Sequence, residues 1–144
     1  MFTMLKDWCR LALPVLGMAA LLAGCDIFSP SDLTNAQVAG EWRLEFIQPA
    51  GQSAQTVPGG AVYSLTLADG NLSTRADCNT CAGRYTLAGK TLTAGPALAC
   101  TRAACPTMAF ENAYTSILSG ESTVTTSPTA LTLASSRGTL RYTR

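Results

Sequence analysis

The chain has 144 residues, 47% of them hydrophobic and only 13% charged, with a formal net charge of +1. That length predicts one domain, and a near-neutral surface gives no electrostatic footprint for nucleic acid or another polyanion. Histidine is absent, which removes Ser-His-Asp triads and histidine-ligated metal centres.

The chain opens with Lys6 and Arg10, followed by an uncharged apolar run from Leu11 to Gly24. A charged stretch and then a short apolar one reads as an export signal. It is shorter than the roughly 20 apolar residues of a membrane-spanning helix. The run ends on Leu22-Ala23-Gly24-Cys25. This resembles the bacterial lipoprotein box, in which the chain is cut before the cysteine and its thiol is acylated. The resemblance implies a signal peptide over 1–24 and lipidation of Cys25. Each buried CH₂ of such an anchor contributes about 0.8 kcal/mol, so two or three chains hold a protein stably at a membrane. The expected address is the bacterial cell envelope, with the domain facing the periplasm. Asp26 resembles the signal that retains lipoproteins at the inner membrane, while the choice between inner and outer membrane stays open.

Lys6, Asp7 and Arg10 are the only charges in the leader, so eight of the ten basic and eight of the nine acidic residues remain in the mature chain. Residues 25–37 mix Ser, Pro, Asp and Asn without a period and read as a lipidated tether, leaving 38–144 as the domain.

From Gly40 the chain alternates. Trp42, Leu44 and Phe46 share one face, and Glu41, Arg43 and Glu45 the other, the pattern of a half-buried strand. Trp42 reads as a core aromatic before it reads as a ligand platform. A Gln-, Ser-, Pro- and Gly-rich loop covers 48–60. Strands are expected over 62–67 and 72–76, joined by Asp69-Gly70, a strong hairpin signal.

Cys78-Asn79-Thr80-Cys81 and Cys100-Thr101-Arg102-Ala103-Ala104-Cys105 flank two further β-prone runs, 83–87 and 90–94, joined at Ala88-Gly89. Continuing that antiparallel register outward brings Cys81 opposite Cys100 and then Cys78 near Cys105. The register favours nested disulfides, although four cysteines allow three connectivities. Export makes persistent bridges reasonable. A redox reading of Cys-x-x-Cys lacks the strand-to-helix setting that activates a thiol. A zinc reading has near-ribbon spacing but conflicts with export and with the hairpin. No catalytic residue, cofactor site or metal site is assigned.

After Pro106 the period changes. Phe110, Ala113, Tyr114, Ile117 and Leu118 fall on one helical face, with Pro106 suited to the first turn and Gly120 to the stop. Glu111 suits the positive end of the helix dipole. Three short strands follow, over 122–126, 130–134 and 138–142. The fold class is mainly β (α+β): a small antiparallel, barrel-like curved sheet of about eight strands with one α-helix packed on it, stapled by disulfides.

Several of these segments together resemble the META domain, the family of the heat-inducible HslJ-type proteins. Gly40-Glu41-Trp42-Arg43-Leu44 matches its opening Gly-x-Trp-x-Leu. Cys78-Asn79 with Gly83 and Tyr85 matches its Gly-Cys-Asn-x-x-x-Gly-x-Tyr, with Asp77 in place of the usual glycine. Thr101 to Pro106 matches Thr-x-Met-Ala-Cys-Pro, and Glu111, Tyr114, Leu118, Leu131, Leu133 and Leu140 follow in order. The resemblance implies that Cys78 and Cys105 are the family's pair, with Cys81 and Cys100 an added brace. It implies no established catalysis, and loose links to heat shock, envelope stress, antibiotic tolerance, secretion and motility.

The leading expectation is a monomeric, non-enzymatic envelope lipoprotein whose partner is the membrane through Cys25. The alternatives are an inhibitor of a lysozyme or exported protease, presenting the 48–60 loop or the 126–129 turn, and a lipocalin-like ligand barrel.

Overall fold

A computed structural model describes residues 32–144. The leader, Cys25 and Asp26 lie outside the described residues. In chain order the elements are α1 (Asn35–Val38), β1 (Gly40–Pro49), β2 (Gln55–Thr56), β3 (Tyr63–Ala68), β4 (Asn71–Ala76), β5 (Asn79–Ala88), β6 (Thr91–Ala94), β7 (Ala99–Cys100), α2 (Met108–Leu118), β8 (Gly120–Thr126), β9 (Ala130–Ser135) and β10 (Gly138–Thr143).

Every strand pairing is antiparallel. The order β10-β9-β8-β6-β5-β4-β3-β1 closes on itself because β1 also pairs with β10. Eight strands therefore make a closed barrel, with β2 added to β1 and β7 to β5. Closure removes most of the exposed edge that an open sheet would present.

The barrel is filled by its own side chains. Trp42, Ile47, Tyr63, Leu65, Leu67, Leu72, Leu92, Tyr114, Leu131 and Tyr142 are all buried in one core. Each apolar side chain of this size contributes about 1.5–3 kcal/mol on burial. A lipocalin-like chamber has no room where these residues meet. The outward positions of β1, β4 and β5 include Glu41, Arg43, Arg75, Thr80 and Arg84, all exposed. That polarity is the reverse of a barrel whose outer face meets lipid.

β1 departs from simple alternation. Leu44 faces Tyr142 and Phe46 faces Arg141, so Glu45 is an extra residue at a β-bulge. A bulge shifts the parity of everything after it. Trp42 and Leu44 point inward, and then Ile47 does so in place of Phe46, which is only half-buried. Glu45 meets Arg141 at 3.6 Å on the outside, an exposed pair of little energetic weight.

The barrel has two unlike ends. At the hairpin end lie the turns at Asp69-Gly70, Gly89-Lys90 and Ser127–Thr129, together with Arg144. Asp69 and Gly70 both have positive φ, 50° and 74°, as a two-residue β-hairpin turn requires. Residues 33–39 cross this mouth. Leu33 N–H donates to Gly89 O at 3.0 Å, Gln37 O accepts from Thr126 Oγ1 at 3.4 Å, and Val38 is buried in the core. Trp42 Nε1 donates to Val38 O at 2.8 Å, and the Arg144 guanidinium lies 3.9 Å from the Trp42 ring centre. Leu33 packs against the core, so the folded body begins inside the 25–37 segment assigned to the tether, because an apolar side chain and a backbone bond are available there to fix it.

At the helix end α2 covers the opposite mouth. Phe110, Tyr114, Ile117 and Leu118 are buried, as their period predicts. The helix starts at Met108 with Thr107 as its N-cap residue, so Pro106 precedes the helix rather than opening it. Gly120 takes φ +82° just after the C-cap Ser119, the left-handed stop that favours glycine. Arg137 Nε donates to Ser116 O at 2.6 Å and ties the β9–β10 turn to the helix.

Candidate functional site at the disulfide end

β5 starts at the helix end, and its first residues carry the site. The pleat points Asn79 and Cys81 inward and Thr80 outward. Cys81 sits directly opposite Cys100 of β7, and the two are joined with Cα atoms 4.0 Å apart. Cys78, in the turn before β5, is joined to Cys105 with a Cα separation of 5.7 Å. The bridges are nested, as the register favours. Together they fix the two ends of a loop whose residues, Thr101 to Ala104, are all exposed.

Asn79 fixes the middle of that loop. It is fully buried. Its Oδ1 accepts from the Ala103 N–H at 2.8 Å and from Thr101 Oγ1 at 2.9 Å. Its Nδ2 donates to Ala103 O at 3.0 Å and to the Glu111 carboxylate, both of whose oxygens are 3.0 Å away. An amide has two donor hydrogens and one carbonyl oxygen, so the group is fully used. The same nitrogen lies 3.2 Å from Cys105 Sγ. Glu111 is nearly buried in the first turn of α2, where the helix dipole favours a carboxylate. The dipole role expected of Glu111 is therefore joined by a direct bond that orients the loop.

A second polar chain enters from the same end. Asp77 has φ +57°, a region that non-glycine residues rarely adopt. This is the position where the resemblance expects glycine. Its Oδ2 accepts from Thr107 Oγ1 at 2.7 Å. Thr107 has then given its only proton, so Tyr63 O–H donates to Thr107 Oγ1 across 2.8 Å. Burial raises the Tyr63 pKa, and the negative charges of Asp77 and Glu111 add to the rise.

Deeper in the barrel, Thr74 Oγ1 donates to Ser64 O at 2.6 Å and lies 2.6 Å from Tyr114 Oη. Tyr142 O–H donates to Tyr114 Oη at 3.2 Å. The proton order is Tyr142 to Tyr114 to Thr74 to a backbone carbonyl, with each hydroxyl donating once. Burial pushes Tyr114 up to about 12 and Tyr142 well above its ordinary value.

These groups are suited to holding a shape. Glu111 meets an amide, not a base or a nucleophile, and general acid–base work needs a titrating partner in reach of a substrate. Among the described residues no group of three or more Cys, Asp or Glu side chains is arranged to hold a metal ion. A groove of about 480 Å³ runs along the outside beside Cys81 and Cys100, lined by small and hydroxyl side chains including Ser73, Thr80 and Thr101. Local sequence pattern marks neither Asn79 as a loop clamp nor the Thr74–Tyr114–Tyr142 chain. For Asn79 a signal existed in the Cys78-Asn79 and Glu111 positions of the family resemblance.

The family model for the META domain matches residues 32–144. The chain belongs to the META domain family. The match begins one residue before Leu33, where the described chain first packs on the barrel. An NMR structure of a protein from Burkholderia xenovorans is 26% identical, with a TM-score of 0.61 over 94% of this chain and 98% of that one. A second NMR structure is 24% identical, with a TM-score of 0.60 over 77% of this chain and 94% of that one, and shares the fold. No curated protein matches the chain. Within this META domain the motif residues Cys78, Asn79, Cys105 and Glu111 meet at one point, which accounts physically for their joint appearance.

Proposed function

We propose that this META domain is the body of a non-enzymatic bacterial lipoprotein, anchored through Cys25, that helps maintain the cell envelope under stress. The observation that carries the reading is Leu22-Ala23-Gly24-Cys25 at the end of an export-type apolar run, eight residues before Leu33, where the chain first packs on the barrel. The two disulfides support it, because such bridges persist outside the cytosol. The acyl chains on Cys25 supply the membrane attachment, the barrel faces the periplasm as a monomer, and Asp26 favours the inner membrane. Fractionation tests the anchor: the native chain is expected in the membrane fraction and the Cys25→Ser variant outside it. Finding both in the same soluble fraction removes the lipoprotein reading. For the stress role, deletion is expected to lower tolerance to heat, detergent and cell-wall drugs, and unchanged tolerance to all three removes it.

One observation favours a second reading, a binding module that blocks a lysozyme or an exported protease. The exposed Thr101–Ala104 loop is held at both ends by disulfides and in its middle by Asn79. A rigid loop loses little conformational entropy on binding. This loop is better fixed than the 48–60 loop or the 126–129 turn. Assays against lysozymes and exported proteases that show no inhibition by excess domain remove this reading.

A further inference from the structure

The entry point of the chain gives the barrel a direction. Leu33 is bonded to Gly89 at the hairpin end, and residues 33–39 cross that mouth before β1 begins. Cys25 is eight residues earlier. Eight residues reach about 28 Å even at full extension. β5 has ten residues, about 33 Å of strand. With a barrel tilt of about 35–45°, this puts the helix end about 25 Å beyond the hairpin end. The helix end therefore reaches a membrane holding Cys25 only with the tether pulled taut and laid along the barrel wall.

The surface composition agrees. The hairpin tips carry Asp69, Lys90, Ser127 and Thr129, all exposed and polar, which suits lipid headgroups rather than acyl chains. Among the described residues the large apolar side chains left exposed are Val62 and Met108. Val62 precedes β3 and Met108 opens α2, so both lie at the helix end. Arg102, in the clamped loop, is exposed at that end too.

We infer that the hairpin end of the barrel rests against the phospholipid headgroups of the membrane that holds Cys25, so that the disulfide-clamped loop and the exposed apolar pair face away from the lipid. The inference rests on the lipoprotein reading for its anchor and on the fold for its direction. The hairpin end is the membrane-facing surface, and the helix end is the one open to a soluble partner.

The test uses the full chain, processed in a bacterial host and reconstituted into phospholipid vesicles. A benzophenone amino acid replaces Lys90, Thr129, Arg102 or Ser53, one at a time. All four positions are exposed, and Ser53 follows the Pro49 end of β1, which pairs with Gly138 at the helix end. Photolabelling of lipid is expected to be severalfold stronger from positions 90 and 129 than from 102 and 53. Equal labelling, the reverse order, or no lipid labelling from a chain whose Cys25 carries acyl groups by mass spectrometry overturns the inference. A Cys25 without acyl groups instead removes the lipoprotein reading. Direction is then read from residues 25–144 held by an N-terminal hexahistidine on nickel-chelating lipid vesicles, where the same order of labelling is expected and its absence overturns the inference.

Discussion

The side-chain nitrogen of Asn79 lies 3.0 Å from both carboxylate oxygens of Glu111, with Asn79 fully buried and Glu111 nearly so. One amide thus holds a carboxylate on α2 and, through its other hydrogen and its oxygen, the backbone of Ala103. The relationship joins β5, the helix and the exposed loop in a single interaction.

Asn79→Ala leaves that carboxylate buried without a partner. Removing one side of such a pair costs about 3 kcal/mol, so the urea midpoint should fall sharply. Glu111→Gln keeps an oxygen to accept from Asn79 and should cost about 1 kcal/mol. A midpoint unchanged in Asn79→Ala would mean that the clamp contributes little. Asn79→Asp places two carboxyl groups together, where one must take up a proton. That variant should regain stability as pH falls, measured by denaturation at several pH values.

Alkaline pH should act through the tyrosines. Tyr114 rises from 10.0 to about 12 in the folded chain, chiefly through burial, and Tyr63 and Tyr142 rise as well. A raised folded value means that the unfolded chain gives up its protons first. The contribution of Tyr114 is therefore fully present below pH 10 and is lost as pH rises toward 12. Tyrosinate absorbance should show Tyr114 titrating only as the barrel unfolds, whereas titration near pH 10 in a folded chain would contradict its burial. Tyr114→Phe strands the hydroxyl proton of Tyr142 without an acceptor and should cost about 1–2 kcal/mol.

The hairpins, the helix and the nested bridges were legible because each leaves a local mark. Asp69-Gly70 marks a turn, Phe110 through Leu118 repeat at helical spacing, and Cys81 and Cys100 fall into register from one hairpin. The inward turn of Ile47 was not legible. The bulge at Glu45 lies just past the point where β1 stops pairing with β3 and continues along β10, and no turn residue announces it. The Thr74–Tyr114–Tyr142 chain was hidden for a similar reason. Its members lie on β4, α2 and β10, and only barrel closure brings them together.

The bridges should differ in weight. Replacing Cys81 and Cys100 together by Ala should lower stability by about 2–4 kcal/mol and leave the fold intact. Replacing Cys78 and Cys105 should cost more, because Cys105 also seats the loop that Asn79 clamps. Denaturation midpoints with near-ultraviolet dichroism rank the two. An unfolded Cys81→Ala/Cys100→Ala variant at ordinary temperature would reverse the ranking. Thiol counting on denatured, unreduced protein should find none of these four sulfurs free.

Asp77 separates a backbone effect from a side-chain effect. Its φ of +57° is tolerated by Asp and Asn better than by other side chains, and its carboxylate accepts from Thr107 at the head of α2. Asp77→Asn keeps both an acceptor and the tolerance, so the change should stay within about 0.5 kcal/mol. Asp77→Gly removes the left-handed strain but also the acceptor, and it loosens the unfolded chain by about 0.4–1 kcal/mol, for a net loss of about 1 kcal/mol. Asp77→Ala loses the acceptor and meets the full left-handed penalty of about 1–2 kcal/mol, so it should be the least stable of the three. Thermal midpoints in the order Asn, Gly, Ala show both effects at work. A glycine variant more stable than the native chain would show that strain outweighs the Thr107 bond, and that the usual family residue is the better one at this turn.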